Sequence, residues 1–124
     1  MSAESVTDLV RSLVAAVAQE AAAPAAVAAL LRDAGYENPD EHVTKLAAGR
    51  HGAYLPLRRE AELSLAGVQR IYGPGRRQLA LDSDGPTEWT WDIAVGGNQH
   101  VVLTAEVDDH ENSVRQLMFT PYSL

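Results

Sequence analysis

The spacing of apolar residues changes period once along this chain, near residue 50. Up to Gly49 they recur at helical spacing, and from about Tyr54 to Leu124 they mostly alternate, as in half-buried strands. Ser5 with Asp8 three residues on is a capping-box-like start. Val6, Leu9, Val10, Leu13, Val14 and Val17 then share one stripe while Thr7, Asp8, Arg11 and Ser12 face away, which predicts an amphipathic helix to about Glu20. Pro24 suits the first turn of a second helix, with Val27, Leu30, Leu31 and Ala34 as its apolar edge and Gly35 as its C-terminal cap. Asn38-Pro39-Asp40-Glu41 is a third start signal. It predicts a helix of two to three turns, with Val43, Leu46 and Ala47 on its edge and Gly49 at its end.

Beyond the switch, Leu57–Leu65 reads as a strand, because Ala61, Leu63 and Leu65 share one face and Glu60, Glu62 and Ser64 the other. Further strands are expected at about Val68–Tyr72, Arg77–Ser83, Glu88–Val95, His100–Asp108 and Val114–Thr120, separated by clusters of turn residues. Trp89, Trp91, Ile93 and Val95 share a face, as do Val101, Leu103, Ala105 and Val107. The two sets oppose each other only across an odd loop. A three-residue Gly97-Asn98-Gln99 loop would pair Val95 with Val101, Ile93 with Leu103, Trp91 with Ala105 and Trp89 with Val107. The last strand is apolar on both faces, with Leu117 and Phe119 on one and Val114 and Met118 on the other. The tryptophan-bearing face needs a cover, and the helical half supplies it. The expected fold class is α+β, with two to three N-terminal helices packed on one face of a C-terminal antiparallel meander sheet of four to six strands.

A length of 124 residues points to one α+β domain, with residues 1–50 helical and 53–124 mainly strands. The chain contains no cysteine, which removes disulfides, thiolate nucleophiles and cysteine-ligated metals and fits a cytoplasmic location. No apolar run is long enough to span a bilayer, and the acidic start, with Glu4 and Asp8, does not resemble a signal peptide. A net charge of −7 disfavours nucleic acid and anionic membranes as partners and permits a basic protein. The same acidity is also the ordinary solubilising charge of a bacterial-type protein.

Candidate chemistry is sparse. His42, His51, His100 and His110 have no metal-ligand spacing and read as solvated side chains. Asp82-Ser83-Asp84-Gly85 has its glycine too early for a calcium loop, and Gly73-Pro74-Gly75-Arg76-Arg77 lacks the lysine and helix of a phosphate loop. The turn Asp108-Asp109-His110-Glu111-Asn112 is rich in oxygen ligands but of a kind usually just solvated. No metal and no cofactor is expected. Trp89, Trp91, Tyr54 and Tyr72 are the candidates for lining a pocket, although an aromatic pair on a strand also fills ordinary core. Glu88, Asp92 and Glu106 form an acidic set on the opposite sheet face, with Thr104 between the last two.

These features support a small acidic protein-interaction module, in an accessory, inhibitor or immunity-type role, with another protein as partner. The alternative is a small-molecule-binding domain. The inventory of helices over an antiparallel sheet resembles that of cyclases and isomerases that work inside a helix-covered curved sheet. That resemblance implies a pocket between helices and sheet, with Asp92 joining the aromatic candidates. The chain departs from that type in placing its helices before most of its strands, and fold alone does not carry function. A third reading is a homodimer formed through edge strands or the two-sided last strand.

Overall fold

A computed structural model of the chain describes residues 3–19, 22–46, 49–57, 63–78, 87–108 and 113–123. The elements are helices α1 (Ala3–Val17) and α2 (Ala23–Asp33), a 3-10 turn (Pro39–His42), strands β1 (Val43–Lys45) and β2 (His51–Pro56), helix α3 (Leu65–Tyr72), and strands β3 (Arg76–Gln78), β4 (Thr87–Gly96), β5 (Gln99–Asp108) and β6 (Ser113–Ser123). The six strands form one antiparallel sheet in the order β1-β2-β6-β5-β4-β3. Two meanders therefore meet where β6 returns beside β2, and the chain reaches the far edge by way of α3. The fold is α+β with N-terminal helices on an antiparallel sheet, as the periodicity predicts.

Every apolar residue of the α1 stripe from Val6 to Val17 is buried. In α2 the buried positions are Ala23, Val27, Ala28 and Leu31, and the helix ends where Gly35 adopts φ +94°. Gly35 N–H bonds to Arg32 O at 3.0 Å and Tyr36 N–H to Leu31 O at 3.0 Å, the paired bonds of a Schellman cap, which needs a left-handed residue there. The third start signal produces less than expected. Pro39 opens a single 3-10 turn, and Val43–Lys45 pairs with His51–Ala53 instead of continuing a helix. Leu46 N–H closes this hairpin on Arg50 O at 2.9 Å. A free edge on β2 and the β-branched Val43-Thr44 outweigh the local helix signal.

The opposite correction applies to Val68–Tyr72, which lies in helix α3 and not in a strand. Ser64 Oγ accepts Gly67 N–H at 3.0 Å and caps it, so that Leu65, Val68 and Tyr72 meet the core at helical spacing. Of the expected strand Leu57–Leu65 only the ends are seen. Leu57 N–H bonds to Arg115 O, Leu63 O accepts Val114 N–H, and Ser64 bridges Ser113, while residues 58–62 lie outside the described residues. The expected strand Arg77–Ser83 is described only as Arg76–Gln78, because residues 79–86 also lie outside.

Two bulges correct the expected registers. Strands β4 and β5 pair Ile93 with Val101, Trp91 with Leu103, Trp89 with Ala105 and Thr87 with Val107, two residues away from the three-residue-loop register. The turn is the two-residue Gly97-Asn98, and Val95 is the extra residue between the pairs Ala94–His100 and Gly96–Gln99. Turn and bulge together give the odd count that keeps Trp89, Trp91 and Ile93 on the face of the β5 set, while Val95, expected to share that face, is the extra residue and is 38 % exposed. A second bulge at Arg115 brings Val114 opposite Val107 and buries it, leaving Met118 on the other face at 44 % exposure. The last strand is not an edge but lies between β2 and β5.

The inner face carries Ala53 and Leu55 of β2, Leu117 and Phe119 of β6, Val101, Leu103, Ala105 and Val107 of β5, and Trp91 of β4, all buried in one cluster with α1, α2 and Val68. Helix α1 crosses β6, β2 and β5, while α2 lies on β2 and β1. Trp91 is covered differently, by the turn after α3. Its Nε1–H donates to Gly73 O at 2.9 Å, and its ring lies over Gly75, where a Cβ would come within 2.6 Å of the indole. Gly75 also holds φ +74°. Gly75→Ala combines backbone strain with overpacking and is expected to cost about 2–4 kcal/mol. Urea unfolding followed by tryptophan fluorescence would show this as a lower midpoint, and an unchanged midpoint would contradict the packing of Trp91 against that turn.

Candidate functional site

The sheet face turned away from the helices is polar and, apart from His42 of the 3-10 turn beside Tyr54, uncovered among the described residues. Strand alternation places Glu88, Thr90 and Asp92 of β4 there, with His100, Val102, Thr104 and Glu106 of β5, Gln116, Met118, Thr120 and Tyr122 of β6, and Tyr54 of β2. The acidic residues singled out from sequence thus do share a face. Glu88 and Glu106 are directly opposed in the β4–β5 ladder. Glu106 accepts a hydrogen bond from Gln116 Nε2, and Gln116 Oε1 accepts one from Tyr54 O–H, so a chain of side chains crosses three strands.

A second network lies at the other end of the face. Asp92 Oδ1 is 3.0 Å from His100 Nδ1, and Asp92 Oδ2 accepts the Tyr122 hydroxyl. The His100 and Tyr122 rings stack at 5.0 Å. The Tyr122 hydrogen bond, joined by His100, lowers the Asp92 carboxyl below its ordinary value. The same bond, with the nearby negative charge, raises the Tyr122 hydroxyl above its own. Both groups move away from neutrality, so Asp92 is a fixed anion and Tyr122 a fixed donor, which suits binding better than proton transfer near pH 7. Asp92 and Glu106 cannot act as a carboxylate pair either. Their cross-strand positions, Val102 and Glu106, are four residues apart on β5, roughly 13 Å by strand rise, beyond the spacing of paired catalytic carboxylates.

The pocket candidates are divided. Trp91 is 4 % exposed and packed, and Trp89 is half-buried beside it. Tyr72 and the edge of Trp91 line an open depression of about 490 Å³ with Arg76, Thr90 and Asp92 at the short end of β3. Burial of the Tyr72 ring raises its hydroxyl pKa, with Arg11 opposing. Tyr54 is on the other side of the sheet, where its ring stacks on His42 at 6.1 Å. His42 Nδ1 lies 3.1 Å from Tyr54 O, and Tyr36 O–H donates to Pro56 O at 2.9 Å, so these side chains cap the β2 edge beyond the end of β1.

The expectation of four freely solvated histidines therefore needs correction. His42 and His100 are bonded, and His51 is half-buried with an Nδ1 that has no hydrogen-bond partner. His110 lies outside the described residues, with most of its turn. No group of three His, Asp or Glu able to hold a metal occurs among the described residues, and no helix there is long and apolar enough to cross a membrane.

Sequence reasoning missed two groups. His100 stands in the same strand phase as Glu106, which was the available signal, whereas Tyr122 lies beyond the expected strand end at Thr120 and joins the face because β6 runs on to Ser123. A cleft of about 540 Å³ between α2 and the β1–β2 hairpin, lined by Arg32, Asp40, Lys45 and His51, joins segments with no sequence pattern in common. Comparison with protein-family models, curated proteins and solved structures finds no match for this chain.

The Asp92–Tyr122 bond sets a pH dependence with a definite sign. Its contribution through Asp92 is present above the unfolded carboxyl value of about 3.9 and is lost as pH falls through the lower folded value. Through Tyr122 it is present below about 10 and is lost as pH rises through the higher folded value. In NMR pH titrations Asp92→Asn is expected to bring the Tyr122 titration down, and Tyr122→Phe to bring the Asp92 titration up. Unmoved titrations would show that the two groups do not interact in solution.

Proposed function

We propose that this chain is a protein-interaction module that binds a basic partner through the outer face of its sheet. The observation that carries the reading is the opposition of Glu88 and Glu106 across β4 and β5, on the part of the face that no described element covers. Like charges directly opposite on a sheet are destabilising, and a lysine or arginine from outside relieves them. Asp92, held ionised by the Tyr122 hydrogen bond, adds a third negative charge. Met118, at 44 % exposure, stands beside Tyr54 and Thr104 in the ladder and offers an apolar anchor within the acidic surround. Methionine and tyrosine among polar neighbours are typical of a recognition surface. Accessory, inhibitor and immunity-type roles all use such a face. The alternative of a pocket enzyme draws less support, because Trp91 is packed and the Asp92 cluster is held away from neutral ionisation.

The proposal is tested by NMR with a synthetic peptide of alternating arginine and leucine as the probe. Amide shifts are expected at Thr90, Thr104, Glu106 and Met118. The double variant Glu88→Gln/Glu106→Gln should weaken binding about fivefold, the equivalent of ~1 kcal/mol of screened charge interaction. Shifts confined to the helices, or no loss of affinity in the double variant, would overturn the assignment of this face.

A further inference from the structure

We infer that the cleft between α2 and the β1–β2 hairpin binds a small molecule bearing an oxyanion, either a carboxylate or a phosphate monoester. Its volume of about 540 Å³ is in the range that holds a small organic ligand. One wall is α2, which presents the small residues Ala25 and Ala28 and then Arg32 from its last turn. The other wall is the hairpin, where Lys45 and His51 are direct cross-strand partners. Asp40 is the one acidic residue in the lining, against two permanent cations.

That balance runs against the rest of the molecule. The chain has a net charge of −7 and one lysine in 124 residues, and that lysine is in this cleft. Among the described residues, neither the Arg32 nor the Lys45 side chain has a hydrogen bond or ion pair. His51 is equally unexplained by folding. Its Nδ1 is the one buried side-chain nitrogen or oxygen among the described residues without a partner, at a wall position that an aliphatic residue would fill at lower cost. Two cations facing a concave, partly apolar surface are the elements of oxyanion recognition: charge and hydrogen-bond donors at one end, and contact area for a short carbon skeleton along Ala25 and Ala28. The site is separate from the outer sheet face, so either can fail without the other.

The single lysine makes the test direct. Reductive methylation with an isotope label keeps its charge and gives one lysine signal by NMR. Titration with phenyl phosphate and with benzoate, at constant ionic strength, is expected to move that signal and the Ala25 and Ala28 amides saturably. The tighter of the two ligands identifies the oxyanion. Phenol, which has the ring without the charge, should move them at least tenfold less at equal concentration. Arg32→Gln should weaken binding tenfold or more. Ala25→Glu, an exposed helix position where folding is not at risk, should do the same by placing a carboxylate in the cleft. Glu88→Gln on the other face should leave binding unchanged. Absence of a saturable shift, equal shifts with phenol, or full affinity in both Arg32→Gln and Ala25→Glu would overturn the proposal.

Discussion

Keeping the apolar residues of β4, β5 and β6 on one side of the sheet is the constraint on which the other features rest. A strand alternates its side chains with a period of two, so any odd offset in pairing would turn Leu103 and Leu117 into solvent and bring Glu106 or Thr104 into the core. The chain meets the condition with two bulges, one at Val95 beside the Gly97-Asn98 turn and one at Arg115. With the parity set, Leu103, Leu117 and Phe119 are fully buried under α1, and α2 closes over β2. Helix α3 and its turn then seal the position of Trp91, which lies nearer the β3 edge.

The same parity assigns the outer face. Once Trp91 and Leu103 point inward, Glu88 must stand against Glu106, and Asp92 must lie in the strand phase of His100 and Tyr122. The acidic residues are therefore gathered by the demands of the core, while their networks with Gln116, Tyr54 and Tyr122 are additions that core packing does not require. Met118 is in the same position. It is exposed because Leu117 and Phe119 are buried, yet a polar residue would satisfy the fold equally well there.

Much of this was legible in the order of residues. The α1 stripe, the Pro24 start and Gly35 end of α2, the three long strands and the inward set of Trp91, Leu103 and Leu117 follow from period and turn chemistry. The places where the reading failed share a physical cause, since short elements are decided by partners distant in sequence. Val43–Lys45 became a strand because β2 offered an edge, and Asn38-Pro39 kept only one helical turn. Ser64 and Val68 carried a helix signal that the alternation of Leu63 and Leu65 masked. A bulge leaves no mark in an alternating pattern beyond its parity, so the facing sets were legible and their exact partners were not. The cleft of Arg32, Lys45 and His51 was invisible for a further reason: α2 and the hairpin meet there only through the fold.

The parity that the core demands holds Glu88 and Glu106 opposite each other on the outer face. The most direct measurement is the stability of Glu88→Lys relative to the parent chain, by urea unfolding at low and high salt. Replacing a like-charge pair with an opposite-charge pair at the Glu106 position is expected to raise the unfolding free energy by about 0.5–1 kcal/mol at low salt, and the gain should shrink as salt screens the pair. An unchanged or lowered unfolding free energy at low salt would mean that Glu88 and Glu106 do not repel each other in the folded sheet.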